Sequence, residues 1–432
     1  KTEREFVDLT EKELEKNDFV NINEKSELKK GDKIPSVRQL AQSYHCSKDT
    51  AQKALLELRY QKYIYAVPKS GYYVLEQTQG DHSDLELPLT NDRHQAYEDF
   101  RLCVNETLIG RENYLFNYYS QQEGLEDLRQ SVKQLLLESA IYTALENIAL
   151  TSGTQQALYI LSQIDFPNHG KTILVEQPTY HRMNDLLSVQ QLSYKTINRG
   201  PEGIDMEELE SLFQSGDIKF FYTIPRFHYP LGHTYHRKEK EEILRLAKLY
   251  QVFLIEDDYL ADFDHKSDLS FHYLDDSDSV IYIKSFSTSL FPALWITALL
   301  LPSSIKKQFI AYKSMLDYDS NLIMQKALSL YIDNQMFQKN KLALLRLQEE
   351  EKANAQHLLE KAELDLPYHL SPDGVLLDLQ AIASISAIKH SGLPLDFFES
   401  AYMGPCPYRY AKIRYPDLES SIEGLKKYLK KA

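Results

Sequence analysis

Four short apolar runs, Thr172–Val175, Phe220–Thr223, Val252–Glu256 and Val280–Ile283, recur between stretches of helical spacing from about residue 96 onward. Strands of this length alternating with helices predict an α/β layer, because parallel neighbours need a crossover and the crossover is usually a helix. A mainly parallel sheet follows, with any ligand site at the carboxyl ends of its strands. After about residue 318 the pattern changes to one long helix followed by shorter mixed elements. That change predicts a smaller C-terminal α+β subdomain. The 432 residues are enough for two or three domains with sizeable cores.

The chain carries 63 acidic residues against 49 Lys and Arg, a net charge of −14. This balance argues against nucleic-acid binding over the whole surface. The charge is uneven, however: residues 29–76 hold nine Lys/Arg against four Asp/Glu. A locally basic module on an acidic body has to meet phosphate with one face only. Cys46, Cys103 and Cys406 are scattered and odd in number. They match neither a disulfide framework nor a zinc site, and predict a reducing, cytoplasmic setting. No apolar run reaches the length of a membrane span and no signal peptide is visible, so no membrane partner is expected.

The basic module has an ordered pattern. Pro35 and Ser36 suit a helix start, and Val37, Leu40 and Ala41 fall on one helical face. After a polar break at Ser43–Cys46, Ser47 suits the cap of a second helix on which Thr50, Ala51, Ala54, Leu55 and Leu58 keep helical spacing. Tyr63–Val67 and Tyr72–Leu75 flank Pro68-Lys69-Ser70-Gly71 and read as a hairpin, or wing. The series P-S-x-R-x-L-A, S-x-x-T-A-x-x-A-L and a Gly-containing hairpin, over about residues 29–76, resembles the winged helix-turn-helix of GntR-type transcription regulators. The resemblance implies a double-stranded DNA operator as partner. It places Ser36, Arg38, Lys48, Asp49, Thr50, Gln52, Lys69 and Gly71 at the DNA. Lys48, Thr50 and Gln52 would start the recognition helix, where side chains reach base edges. Arg38 and Lys69 suit phosphates, and Gly71 lets the wing backbone come close. Any one lysine reads better as a solvated helix face; it is the ordered pattern that favours DNA. Asp49 would be repelled by phosphate, so it either accepts from a cytosine amino group or caps locally. Residues 3–28 are acidic and fit the family's first helix poorly.

Residues 77–95 are polar without clear periodicity and read as a linker. Beyond them come Tyr118-Tyr119, Gly124–Arg129, Thr151–Leu158, Glu176–Tyr180, Pro225–Gly232, Ile255–Tyr259 and Ala411–Arg414. In this order they resemble the aminotransferase-like domain of MocR-type regulators, which has a fold-type I aminotransferase fold. The expected organisation is a winged helix-turn-helix at 1–76, the linker at 77–95, a large α/β domain at 96–317 and a small subdomain at 318–432. The resemblance also implies a homodimer with exchanged heads, and therefore two half-sites on the DNA.

By the same resemblance, Gly153-Thr154-Gln155 would cradle the phosphate of pyridoxal 5′-phosphate (PLP) at a helix start. Tyr180 would stack on the ring, Asp257 would pair with its nitrogen, and Tyr259, with Tyr229 nearby, would meet its hydroxyl. Arg182 and Arg414 match arginines that hold a carboxylate. The stretch Ser285-Phe286-Ser287-Thr288-Ser289-Leu290-Phe291-Pro292 resembles the cofactor-lysine segment, but Thr288 stands where the Schiff-base lysine is expected and has no amine. Trp295 stands where an arginine would grip the phosphate, and Phe227, His228 and Leu231 also depart from the family pattern. No PLP cofactor and no enzyme activity are therefore expected. The body is left with dimerisation and the sensing of another small, anionic ligand. Lys284 is the alternative anchor, although the plainer reading has it ending a strand and pointing to solvent. The competing functions are a regulator that binds PLP non-covalently or through Lys284, an active aminotransferase, and a purely structural partner protein. For Asp257, Tyr259, Arg182 and Arg414 the competing role is structural hydrogen bonding or ion pairing.

Overall fold

The computed structural model describes residues 33–44, 46–60, 64–67, 71–74, 91–109, 113–116, 122–264, 268–317, 319–364, 366–380, 382 and 385–429. The chain divides into two compact units, residues 1–88 and 89–432.

In the first unit α1 (Val37–Ser43) and α2 (Lys48–Tyr60) precede β1 (Ile64–Val67) and β2 (Gly71–Val74). Ser36 starts α1 through a capping box: its hydroxyl accepts the Gln39 amide, and the Gln39 side chain accepts the Ser36 amide. Ser47 caps α2 by accepting the Thr50 amide at 3.0 Å. Ala51, Leu55 and Leu58 then share one helical face and bury against Ile34, Leu40, Ala41 and Ile64. β1 and β2 pair antiparallel, with Val67 opposite Gly71. The residues before α1 add an edge to this wing, since the Ile34 amide donates to Tyr72 O at 2.8 Å and Lys33 bridges Tyr73.

The second unit opens with α3 (Asn91–Thr107). This helix begins inside the stretch expected to be linker, so that expectation is corrected at its C-terminal end; residues 77–90 lie outside the described residues. There follow α4 (Asn113–Phe116), α5 (Glu126–Glu138), β3 (Ile148–Thr151), α6 (Thr154–Gln163), β4 (Thr172–Gln177), α7 (His181–Val189), β5 (Tyr194–Asn198), α8 (Met206–Gln214), β6 (Ile218–Thr223), α9 (Arg237–Leu249), β7 (Phe253–Asp257), α10 (Phe271–Leu274), β8 (Val280–Ser285), β9 (Thr297–Leu300) and α11 (Ser303–Leu316). The seven strands form one sheet in the order β3-β9-β8-β7-β6-β4-β5. β9 runs antiparallel to both neighbours, and the other pairings are parallel. The four apolar runs of the sequence are β4, β6, β7 and β8. They are continuous in hydrophobicity because both faces of the sheet are covered. Leu158, Leu161, Met183, Leu187 and Phe309 cover one face from α6, α7 and α11. Leu209, Phe213, Ile243 and Leu246 cover the other from α8 and α9.

α12 (Leu322–Asp333) and α13 (Met336–Ala362) follow. Ala327, Leu328 and Tyr331 of α12 lie in one core with α3, α5, β3 and β9. The large domain therefore extends past residue 318, and the expected boundary moves into α13. Phe337 at the start of that helix belongs to the large-domain core and Leu359 near its end to the small one. The small subdomain is the antiparallel sheet β10 (Tyr368–Ser371), β11 (Gly374–Asp378) and β12 (Tyr410–Ile413), with α14 (Ile385–Lys389) and α15 (Leu418–Leu429). Among the described residues no helix is long and apolar enough to cross a membrane.

Gly374 begins β11 with φ +147°, and a Cβ there would lie 2.3 Å from the Ile413 carbonyl oxygen of β12. Gly374→Ala is expected to cost at least about 1–3 kcal/mol, seen as a melting temperature several degrees lower. An unchanged melting temperature would contradict this account of the β11–β12 contact.

Candidate functional site

On the head, Arg38, Lys48, Asp49 and Gln52 are exposed, as DNA contacts must be. Thr50 is half-buried and its hydroxyl lies 2.8 Å from that of Ser47, so the cap occupies it. Ser36 is likewise engaged in its capping box. Asp49 finds Lys53 at 3.7 Å one turn on, a local partner that answers its conflict with phosphate. Lys69 lies outside the described residues. Gly71 is exposed with φ +124°, and a Cβ there would be 3.4 Å from Lys33 Cε. Lys33 is thus a cation beside the wing that the sequence reading missed, because it precedes the helical pattern rather than belonging to it.

In the body, the ends of the parallel strands build a ring of tyrosines around a carboxylate. Asp257 ends β7 and is buried. Its Oδ2 accepts the Tyr222 phenol at 2.7 Å, while its Oδ1 has no partner. Burial pushes the Asp257 carboxyl up to about 7, against the lowering effect of the Tyr222 hydrogen bond. Tyr180, Tyr229 and Tyr259 are partly buried on the same side of the sheet. Burial first, and then the nearby Asp257 charge, raise the Tyr180 phenol. Burial lifts that of Tyr229 to about 12. Tyr259 donates to Phe227 O at 3.2 Å. Tyr222 was hidden from the sequence reading inside an apolar run. A phenol in a run covered on both faces was the available signal, since a buried hydroxyl requires a partner.

Beside this ring lies a second polar group centred on Glu176 of β4. Glu176 accepts from Tyr235 at 2.6 Å, Thr223 at 2.8 Å and the Ile224 amide at 3.1 Å. His228 Nε2 lies 3.3 Å away without an aligned hydrogen bond, and the Arg199 guanidinium sits 3.3 Å over the Tyr235 ring. Burial opposes the Glu176 charge, but His228, Arg199 and the phenol hold its carboxyl below the usual range. His228, one of the family departures, is therefore built into the core beside this network.

The loop after β8 places Thr288 at the surface. The Ser285 hydroxyl accepts the Ser287 amide at 3.3 Å, and the Ser287 hydroxyl accepts the Trp295 amide at 3.1 Å. Both serines thus serve the loop's own closure. Gly153 starts α6 with φ +85°, and a Cβ there would lie 4.0 Å from Trp295 Cβ. An indole, two-thirds exposed, therefore stands beside this helix start. Thr154 meets Thr297 at 3.3 Å between hydroxyls.

Lys284 overturns the reading that it points to solvent. It is buried, with Nζ 2.7 Å from Asp262 Oδ2 and 5.6 and 5.9 Å from the centres of Phe286 and Phe337. Ser289 donates to the same Asp262 oxygen at 2.5 Å. Asp257 is in register with Ile283, so by strand alternation Lys284 projects to the opposite face of the sheet. Its amine is held away from the tyrosine ring. Thr288 lacks an amine and Trp295 lacks a guanidinium, so these positions do not fit a covalently anchored PLP.

The two arginines each have a local carboxylate partner. Arg182 is exposed, lies 3.6 Å from Asp185 on its own helix, and lines a groove of about 250 Å³ between α6 and α7 together with Gln155. Arg414 is exposed and donates through Nε and Nη2 to Asp417 at 2.8 Å. Each thus has a carboxylate partner three residues on in the chain.

Residues 103–377 match the family described as aminotransferase class I and II, and residues 24–74 match the bacterial regulatory proteins of the gntR family. The chain is 40% identical over 319 residues to the uncharacterized HTH-type transcriptional regulator YcxD of Bacillus subtilis (strain 168), covering 72% of this chain and 71% of that protein. It is 23% identical over 377 residues to the HTH-type transcriptional regulator NorG of Staphylococcus aureus (strain USA300), covering 79% and 84%. Among solved structures, an archaeal alanine:glyoxylate aminotransferase matches with TM-score 0.69 over 93% of this chain and 97% of that chain, at 19% identity. Pyrococcus horikoshii kynurenine aminotransferase matches with TM-score 0.68 over 78% and 87%, at 21% identity. At such identities the structural likeness shows the fold.

The raised Asp257 carboxyl makes stability depend on pH. The unfolded chain ionises this group near its ordinary value of about 3.9, whereas the folded chain keeps the proton up to about 7. Between these values the folded state holds the extra proton, so stability falls as pH rises through the window. Asp257→Asn is expected to flatten this fall and to be more stable than the parent at pH 8 by a few kcal/mol, because each tenfold difference in proton affinity between the folded and unfolded chain is worth about 1.4 kcal/mol. Parallel denaturation curves for the two proteins from pH 5 to 8 would contradict the assignment.

Proposed function

The chain belongs to the HTH-type transcriptional regulators that join a gntR-family DNA-binding domain to an aminotransferase class I and II domain; from that membership we propose that its body carries out no Schiff-base chemistry with PLP, and instead dimerises and senses another small molecule. The observation that carries this reading is the fate of the amines. Thr288 has none, and the Lys284 amine is paired with Asp262 on the other face of the sheet from Asp257. Transamination needs a lysine both as anchor and as proton carrier, so the proposal includes the absence of enzyme activity. The exposed Trp295 and Thr288 at the strand ends support a second copy of the chain covering this side. A light-scattering mass of one chain would contradict the dimer.

Two outcomes test the reading. An absorbance titration with PLP followed by dialysis should leave no aldimine band, and Lys284→Ala should not change that spectrum. A band that survives dialysis and disappears in Lys284→Ala would return the protein to the PLP-responsive class, and amino-group transfer above a PLP-only control would make it an enzyme.

For the head we propose that Lys48 and Gln52 meet bases while Arg38 meets phosphate. In a gel shift with DNA from upstream of its own and neighbouring genes, Gln52→Ala should weaken specific binding by roughly 1–3 kcal/mol. Arg38→Ala should weaken all sequences alike and lower the salt slope by about one. No protected sequence at moderate salt would remove DNA binding from the proposal.

A further inference from the structure

The loop between β6 and α9 rests on the small subdomain, and two histidines meet there face to face. The rings of His233, from the loop, and His369, from β10, stack with centroids 4.0 Å apart and planes 24° apart. His369 Nε2 lies 3.1 Å from Gly232 O, so it carries a proton and donates it to this bond. A Cβ on Gly232 would lie 2.5 Å from Ser371 Cβ, so the loop sits directly against β10. Lys412 of β12 donates to Pro230 O at 3.3 Å, and Leu231 packs with Leu376, Phe398 and Ala401 in an apolar seam. Two amides cross the same joint: Thr179 donates to Ala401 O at 2.9 Å, and Met403 donates to Gln177 Oε1 at 2.7 Å. The charged groups that act on the stack are cations. Arg199, after β5, and His228, in the loop, face His233; Lys352 of α13 and Lys412 face His369. The carboxylates of this region are engaged elsewhere. Glu176 holds Tyr235, Thr223 and the Ile224 amide, and Asp373 holds Lys412 and Ser371. Burial, and then the His369 ring, push the His233 imidazole down to about 4. Burial lowers His369 and His228 as well.

We propose that the His233–His369 stack is an acid-operated latch between the large domain and the small subdomain: the neutral rings hold the joint closed, and protonation of His233 releases it. An imidazolium at this place would be a part-buried charge beside Arg199 with no carboxylate to pair with it. Opening the joint returns His233 to water, where an imidazole titrates near about 6.5. Between that value and about 4 the open form binds the proton and the closed form does not. The contribution of His233 to closure is therefore fully present above the ordinary value and is lost as pH falls through this window. At pH 5.5, His233 by itself favours opening about tenfold over pH 7.5. The device uses no cofactor, and it stands whether or not the body binds PLP.

The test is hydrogen exchange of the full chain at pH 7.5 and 5.5, with each amide referred to its intrinsic rate at that pH. The cross-joint amides of Thr179 and Met403 should lose protection about tenfold or more at pH 5.5. The amides of Phe221 and Ile255, on the central strands β6 and β7, should keep theirs, which separates opening of the joint from unfolding of the domain. His233→Phe keeps a flat ring against His369 but takes no proton, and should reduce the fall at the joint to about threefold or less. His233→Asn, which does not titrate in this range either, takes its place if the phenylalanine variant does not fold. Unchanged protection at Thr179 and Met403 in the parent would overturn the latch. An equal loss at Phe221 and Ile255 would make the change global unfolding and overturn it as well. A fall of full size in a folded His233 variant would remove His233, and the proposal with it.

Discussion

Three consecutive carboxylates at the end of the central strand decide how this body is assembled. Glu256, Asp257 and Asp258 are all buried, and an unpaired buried charge is too costly for a marginally stable fold. Strand alternation sends neighbouring side chains to opposite faces, so each finds its own donors. Glu256 receives the first amides of α10, where a helix start favours an anion. Asp258 receives Arg226 and Tyr282. These contacts tie β7 to β8 and to the turns that follow β6 and β7. Of the three, Asp257 alone keeps an oxygen free, at the carboxyl end of its parallel strand.

The same economy of pairing fixes Lys284. A lysine inside a sheet layer needs a carboxylate, and Lys284 has Asp262, with Ser289 completing the contact. An amine committed in this way helps hold the loop after β8 in place and cannot reach across the sheet. Asp257, on the other face of the sheet, therefore has no amine beside it from Lys284.

Much of the fold was legible because two-sided burial writes continuous apolar runs. β4, β6, β7 and β8 were visible for that reason. β5 was not: it is the sheet edge, its side chains are mostly exposed, and Tyr194-Lys195-Thr196-Ile197-Asn198 looks like a loop. β3 and β9 are four residues each, too short to stand out until they pair with one another. α12 follows the change of pattern near residue 318, which predicts the small subdomain, yet Leu328 and Tyr331 pack into the large-domain core. Sequence position carries no record of which layer a helix joins.

The sequence by itself determined the two-part organisation, the capped helices of the head and the absence of a lysine at residue 288, because caps, periodicity and residue identity are local properties. Tertiary structure decided which groups are free. It paired Lys284 with Asp262, and it left Asp257 half-bonded to Tyr222. Those outcomes depend on distances between residues far apart in the chain and on which face of the sheet each side chain takes. The physical reason is that a charge or hydrogen-bonding group becomes available for function only when packing has supplied no nearer partner.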